Sequence, residues 1–208
     1  TSYTIPQEAA DVIALLNHLN IDKAAILGTS RGGLIAMMLA FNSKDRLLGV
    51  ALNDIGPQIE AAGLSVIKNY IGLNPAQATL ADEADFRARA WSNFIGVPLE
   101  RWLHEVTNHF VEIEDGLIIK YDPKLRDAVL GSDIKLAPDL WPLYDTLADL
   151  PLALLHGDAS DLLSAVTFEQ MRNLRPDAQA ATVLGRGHVP FLDEPESLAV
   201  LNSWILSL

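Results

Sequence analysis

The run Ala25-Ile26-Leu27-Gly28-Thr29-Ser30-Arg31-Gly32-Gly33-Leu34-Ile35-Ala36 constrains this chain more than any other stretch. An apolar segment ends at Gly28, a serine follows two residues later, and an apolar segment with helical spacing begins after two more glycines. That reads as strand, tight turn and helix, with Gly-x-Ser-x-Gly at the turn. So sharp a turn holds the serine in a strained backbone conformation and pushes its hydroxyl outward. A side chain at Gly28 or Gly32 is expected to collide with the neighbouring strand or helix. The amide of Arg31 then lies at a helix N-terminus, aimed where an oxyanion would form beside Ser30.

The bulk composition narrows the possibilities. The 208 residues suffice for one domain with a real core and an inserted subdomain, and half of them are hydrophobic. With no cysteine there is no disulfide framework and no thiolate metal site. A net charge of −12 repels nucleic acid and anionic membranes, so neither is an expected partner. No apolar run is long enough to span a bilayer, and no signal peptide is visible at Thr1. The first residue is not Met, and cytoplasm is the default expectation.

Along the chain the apolar spacing alternates between helix and strand. Thr4 and Gln7 have capping-box spacing, Pro6 suits a first helical turn, and Ala9, Val12, Ile13, Leu16 and Leu19 mark a buried helical stripe. Strands are expected over Lys23–Leu27, Leu47–Leu52, Pro151–Gly157 and Ala180–Leu184, and helices over Gly33–Phe41, Thr167–Leu174 and Glu194–Leu208. Helix–strand alternation of this kind implies a parallel sheet with right-handed crossovers. Between Gln58 and about Leu147 the pattern turns helical, around Ala62–Ile71, Thr79–Trp91 and Leu99–Phe110. That stretch is rich in aromatics, and Leu117–Ile119 is its one candidate strand. It reads as an insertion. The expected division is therefore a core segment 1–57, a helical insertion 58–147 and a second core segment 148–208.

A serine hydroxyl becomes a nucleophile only when an oriented base takes its proton. Candidates fall after successive parallel strands, where α/β sheets place their sites: Ser30, then Asp54, then Asp158 and Asp161, then His188. His188 is the expected base, set between glycines and Val-Pro; His18, His104, His109 and His156 are rivals. Asp161 is the expected acid because the loop around Ser160-Asp161-Leu162-Leu163 can turn inward. Asp54 and Asp158 remain alternatives. The Arg31 guanidinium is expected to anchor loops while its backbone amide serves the oxyanion.

These pieces together resemble the cap-bearing α/β-hydrolase superfamily of esterases, lactonases, carbon–carbon bond hydrolases and cofactor-free haloperoxidases. The resemblance rests on Ile26–Gly33, Leu52-Asn53-Asp54-Ile55-Gly56-Pro57, His156–Leu163 and Gly187-His188-Val189-Pro190, in the family's order over nearly the whole chain. It implies an α/β fold with a mostly parallel sheet flanked by helices and a helical cap, with Ser30 as nucleophile, Asp161 as acid and His188 as base. No metal or cofactor is implied. Members of the family begin with further strands and a loop that gives the other oxyanion amide, and no such stretch precedes Thr1. The N-terminal part of the sheet is thus expected to be absent from this chain. An N-terminal segment or another chain is expected to pair along the serine strand, which should be buried on both faces.

The expected function is hydrolysis of a small carboxylic ester or lactone through an acyl-enzyme, with the insertion as a lid over an apolar pocket. A carbon–carbon bond hydrolase would use the same three residues. A ligand-binding receptor on the same fold is the non-catalytic alternative.

Overall fold

The computed structural model describes residues 2–131 and 139–208. Thr1 and residues 132–138, the latter within the expected insertion, lie outside the described residues. The elements run α1 (Ile5–His18), β1 (Ala24–Thr29), α2 (Arg31–Ser43), β2 (Leu47–Asn53), α3 (Ala61–Tyr70), α4 (Leu80–Ala90) and α5 (Leu99–His109). They continue through β3 (Phe110–Ile113), β4 (Gly116–Ile119), α6 (Leu125–Leu130), α7 (Trp141–Asp145), β5 (Leu152–Gly157), α8 (Ala165–Leu174), β6 (Gln179–Val183) and α9 (Pro195–Ile205).

The main sheet is all parallel, in the order β1-β2-β5-β6. Side chains alternate across it as the pleat requires. Val50, Leu52 and Leu154 point to one face, where they pack with Met37 and Leu39 of α2 and with Phe168 and Met171 of α8. Ala51, Ala153 and Leu155 point to the other, against Val200 and Trp204 of α9. Burial on both faces explains why β2 and β5 read as continuous apolar runs.

The serine strand is the exception. Among the described residues β1 pairs only with β2, at the edge of the sheet. It is half-buried rather than buried on both faces, and Leu27 is 45% exposed.

At the start of α1, Thr4 Oγ1 accepts from the Gln7 N–H at 3.3 Å. The Gln7 side chain donates to Asp11 instead of reaching back, so only half of the expected capping box forms.

Between β2 and β5, α4 and α5 contribute to a separate apolar cluster that includes Ala84, Phe94, Trp102, Val106, Phe110 and Leu117, while Leu64 and Ile67 of α3 and Tyr144 of α7 pack into the main core. An antiparallel hairpin lies there too, Phe110 facing Ile119 and Ile113 facing Gly116. Its first residue, Phe110, was expected at the end of a helix. Trp102, Val106 and Phe110 keep a spacing of four, so the buried stripe of α5 runs on past the helix end into β3.

Candidate functional site

The chain reverses sharply after β1 and again after β2. In register, Thr29 faces Asn53, so Ser30 and Asp54 are the residues that follow two adjacent parallel strands. Both adopt left-handed backbone geometry, Ser30 at φ 50° and Asp54 at φ 54°. Such conformations cost of order 1–3 kcal/mol in a non-glycine residue and persist only where the surroundings enforce them. At Ser30 the enforcement is close packing. A Cβ on Gly28 would lie 2.5 Å from the Gly32 carbonyl oxygen, and one on Gly33 would lie 2.2 Å from Ile55 Cγ2. Gly32 does not behave as expected: a Cβ there meets nothing within 4 Å. Gly33, not Gly32, is the glycine of α2 that packs against the strands.

The Ser30 turn starts α2, and the Arg31 N–H is the first of that helix, without an intrahelical acceptor. It is available to an oxyanion at Ser30. The Arg31 guanidinium turns away and ties α2 to α1, donating to Glu8 through Nε at 3.3 Å and to the Tyr3 carbonyl at 3.2 Å.

His188 comes from the loop after β6. Its Nε2 lies 2.8 Å from Ser30 Oγ and its Nδ1 lies 2.8 Å from Asp54 Oδ2. Asp54 is fully buried. Its Oδ1 accepts from the Gly157 N–H at 2.8 Å, and its Oδ2 also accepts from Ser160 Oγ at 2.6 Å. The Gly157 N–H and the Ser160 hydroxyl both donate to this buried carboxyl, which as a carboxylate can only accept. Nδ1 of His188 therefore carries its proton, and Nε2 is left to accept from the serine hydroxyl.

Here the structure departs from the sequence expectation. Asp161 makes no hydrogen bond to His188; its main-chain carbonyl accepts from the Gly63 N–H at 2.9 Å, which fixes the loop against α3. Asp158 faces elsewhere, its Oδ1 accepting from the Arg186 N–H at 3.2 Å. The loop after β5 reaches the site through Ser160 instead. Among the rival histidines, His156 is buried in β5, stacked on Phe168, with Nε2 3.0 Å from the Leu163 carbonyl. His18 ends α1, and His104 and His109 lie on α5.

Three supporting residues were not singled out from sequence. Asn53 Nδ2 donates to Thr29 Oγ1 at 3.3 Å and to the Pro190 carbonyl at 3.1 Å, joining the serine strand to the histidine loop. Ser160 holds Asp54. Glu194 gathers the far side of the histidine loop, accepting from the N–H groups of Phe191 and Leu192, from Ser197 Oγ and from Arg186 Nε. The signal for Asn53 was a polar residue closing an otherwise apolar strand.

A cavity of about 1300 Å³ opens at Ser30 and His188. Leu34, Met38, Ile59 and Ile67 line one side, and Trp91 and Phe94 the other. Among the described residues, no helix is long and apolar enough to cross a membrane.

A family model described as the alpha/beta hydrolase family matches residues 1–201. The chain belongs to the α/β hydrolase family. As an α/β hydrolase it superposes on the crystal structure of an α/β hydrolase from Novosphingobium aromaticivorans with a TM-score of 0.89. The two are 33% identical, and the match covers 100% of this chain and 73% of that one. The 3-hydroxybutyrate-oligomer hydrolase of Cupriavidus necator is 28% identical over 95% of this chain and 70% of its own length. The 2-(acetamidomethylene)succinate hydrolase of Mesorhizobium japonicum is 23% identical over 99% of this chain and 72% of its own length. The chain is an enzyme of this α/β hydrolase family.

Proposed function

We propose that this α/β hydrolase cleaves a carboxylic ester through an acyl-enzyme, with Ser30 as nucleophile, His188 as base and Asp54 as acid of a catalytic triad. The observation that carries the reading is the imidazole of His188, 2.8 Å from Ser30 Oγ on one side and 2.8 Å from Asp54 Oδ2 on the other.

The steps follow from that geometry. Ser30 Oγ attacks the ester carbonyl carbon as its proton passes to His188 Nε2. Asp54 holds the Nδ1–H and balances the imidazolium. The Arg31 N–H stabilises the tetrahedral oxyanion, a donor of the kind worth about 10²–10³ in rate. When the carbonyl re-forms, the alkoxide leaves with the proton from Nε2, and Ser30 remains acylated. Water then gives its proton to Nε2, adds to the acyl carbon and releases the acid, restoring the Ser30 hydroxyl. The strained φ of Ser30 presents the hydroxyl to the cavity, in the manner of a nucleophile elbow. The α3–α7 segment acts as a cap over an apolar pocket that excludes bulk water. The Cupriavidus relative, named for hydrolysis of 3-hydroxybutyrate oligomers, supports ester cleavage over carbon–carbon bond cleavage.

A fluorophosphonate probe tests the reading. It is expected to add one label at Ser30, and Ser30→Ala is expected to abolish it. Labelling that survives the substitution overturns the assignment of the nucleophile.

A further inference from the structure

The cavity is mostly apolar, and its cap side carries a buried arginine. Arg87 of α4 lines it, with its side chain only 10% exposed. The guanidinium lies between two rings, its Cζ 4.8 Å from the centre of Trp91 and 5.1 Å from that of Phe110. Its Nε donates to Glu83 Oε1 at 2.7 Å.

Glu83 and Arg87 are four residues apart, a common helix-stabilising pair. A purely structural pair in a buried setting closes both of its bonds, because each unmet group costs desolvation energy. This one does not. Glu83 Oε2 is buried with no partner. Neither terminal amino group of Arg87 has a hydrogen bond among the described residues. Glu83 thus holds the guanidinium through Nε and leaves its terminal nitrogens unbonded, on a residue that lines the cavity.

Other charged groups among the described lining residues have partners of their own. Arg31, the second cation on the lining, is held by Glu8. Glu105 accepts from Arg101 at 2.9 Å, and Asp139 Oδ1 accepts from the Trp141 N–H at 3.0 Å. Tyr70 also lines the cavity; desolvation by the surrounding walls raises its phenol to about 12, against the pull of the Arg87 charge. Its hydroxyl therefore stays protonated at neutral pH.

The distance to the reacting centre is bridged by aromatic rings. Phe191, three residues after His188, lies 5.3 Å from Phe94, which lies 5.7 Å from Trp91, over which Arg87 sits. A chain along this wall would have its ester at Ser30 and its far end at Arg87.

We propose that Arg87 anchors a carboxylate on the substrate, so that the enzyme takes esters bearing a free acid group remote from the scissile carbonyl. A planar, always-charged fork between two rings suits a carboxylate bound through two nitrogens. The substrate class rests on the ester-hydrolase reading, but the anchor does not.

The test separates the two. Ser30→Ala protein is titrated calorimetrically with the monomethyl and dimethyl esters of straight-chain dicarboxylic acids from succinate to sebacate. At least one monomethyl ester is expected to bind roughly tenfold or more tightly than its dimethyl partner, the range for a hydrogen bond to a charged group. In the same background Arg87→Met is expected to bring that ratio to about one. Arg87→Lys keeps the charge without the fork and is expected to lower the ratio by roughly threefold or more, which decides the matter should the methionine variant not fold. Equal binding of charged and neutral esters, binding of neither, or discrimination that survives these substitutions overturns the anchor. Discrimination in the Ser30→Ala protein with no turnover by the wild type supports the anchor and overturns the hydrolase reading alone.

Discussion

Ser160 Oγ lies 2.6 Å from Asp54 Oδ2, the same oxygen that faces His188 Nδ1. The hydroxyl also accepts from the N–H groups of Leu162 and Leu163, each at 3.2 Å. One side chain therefore ties the loop after β5 to the carboxylate after β2. It makes Ser160 a positioning residue for the proposed acid.

Ser160→Ala should lower kcat by about tenfold while leaving KM nearly unchanged. The carboxylate keeps its bond to Gly157 but loses one of the two donors that fix Oδ2. Two loop amides lose their acceptor as well, so urea melts should show a loss of about 1.5–3 kcal/mol, the range for a hydrogen bond to a charged group. A fall in stability with kcat untouched would mean that Ser160 only holds the loop.

Glu194 gives a pH-dependent version of the same argument. Burial favours its neutral form, but the donated hydrogen bonds from Phe191, Ser197 and Arg186 outweigh it and hold the carboxyl below its ordinary value of 4.5. A depressed folded-state value stabilises the protein above the unfolded value, and that stability is lost as pH falls through the folded one. Glu194→Gln should therefore cost about 2 kcal/mol at pH 7, because an amide nitrogen meets donors where an oxygen met them. The gap between variant and wild type should close as pH falls below 4.5. Thermal melts at pH 7 and at lower pH check the sign; a gap that widens in acid would be the wrong one.

How much was legible in the sequence depended on how local the determinants were. The Ser30 turn was readable because strand, glycines and helix lie within a dozen residues. Alternation and apolar runs marked β2 and β5 because both their faces are buried. The strand at Phe110 was masked by a helical spacing that outlasts its helix. The choice between Asp54 and Asp161 was not local at all. It turns on a hydrogen bond between Ser160 and Asp54, which are 106 residues apart. It also turns on the Asp161 carbonyl being engaged by Gly63. No spacing within either loop encodes those contacts. The one hint was chemical, since a charge at the end of a buried strand must find donors.

The acid itself is the sharpest test. In Asp54→Asn the amide must satisfy the Gly157 N–H, which takes Oδ1 as acceptor. The NH₂ group then faces His188 and Ser160. An NH₂ cannot accept from Nδ1–H, so the imidazole shifts its proton to Nε2, and Nε2 can no longer take the proton of Ser30. Turnover should fall by about 10⁴, the scale seen when a triad histidine is held in the wrong tautomer. The Asp161 carboxylate has no bond to His188, so Asp161→Asn should change kcat by no more than about threefold, within the small effects of substitutions away from a buried network. Both variants are assayed on one ester, with melting curves to confirm that each is folded. A larger loss at Asp161 than at Asp54 would return the acid to the loop after β5 and leave the contact between Asp54 and His188 as scaffolding.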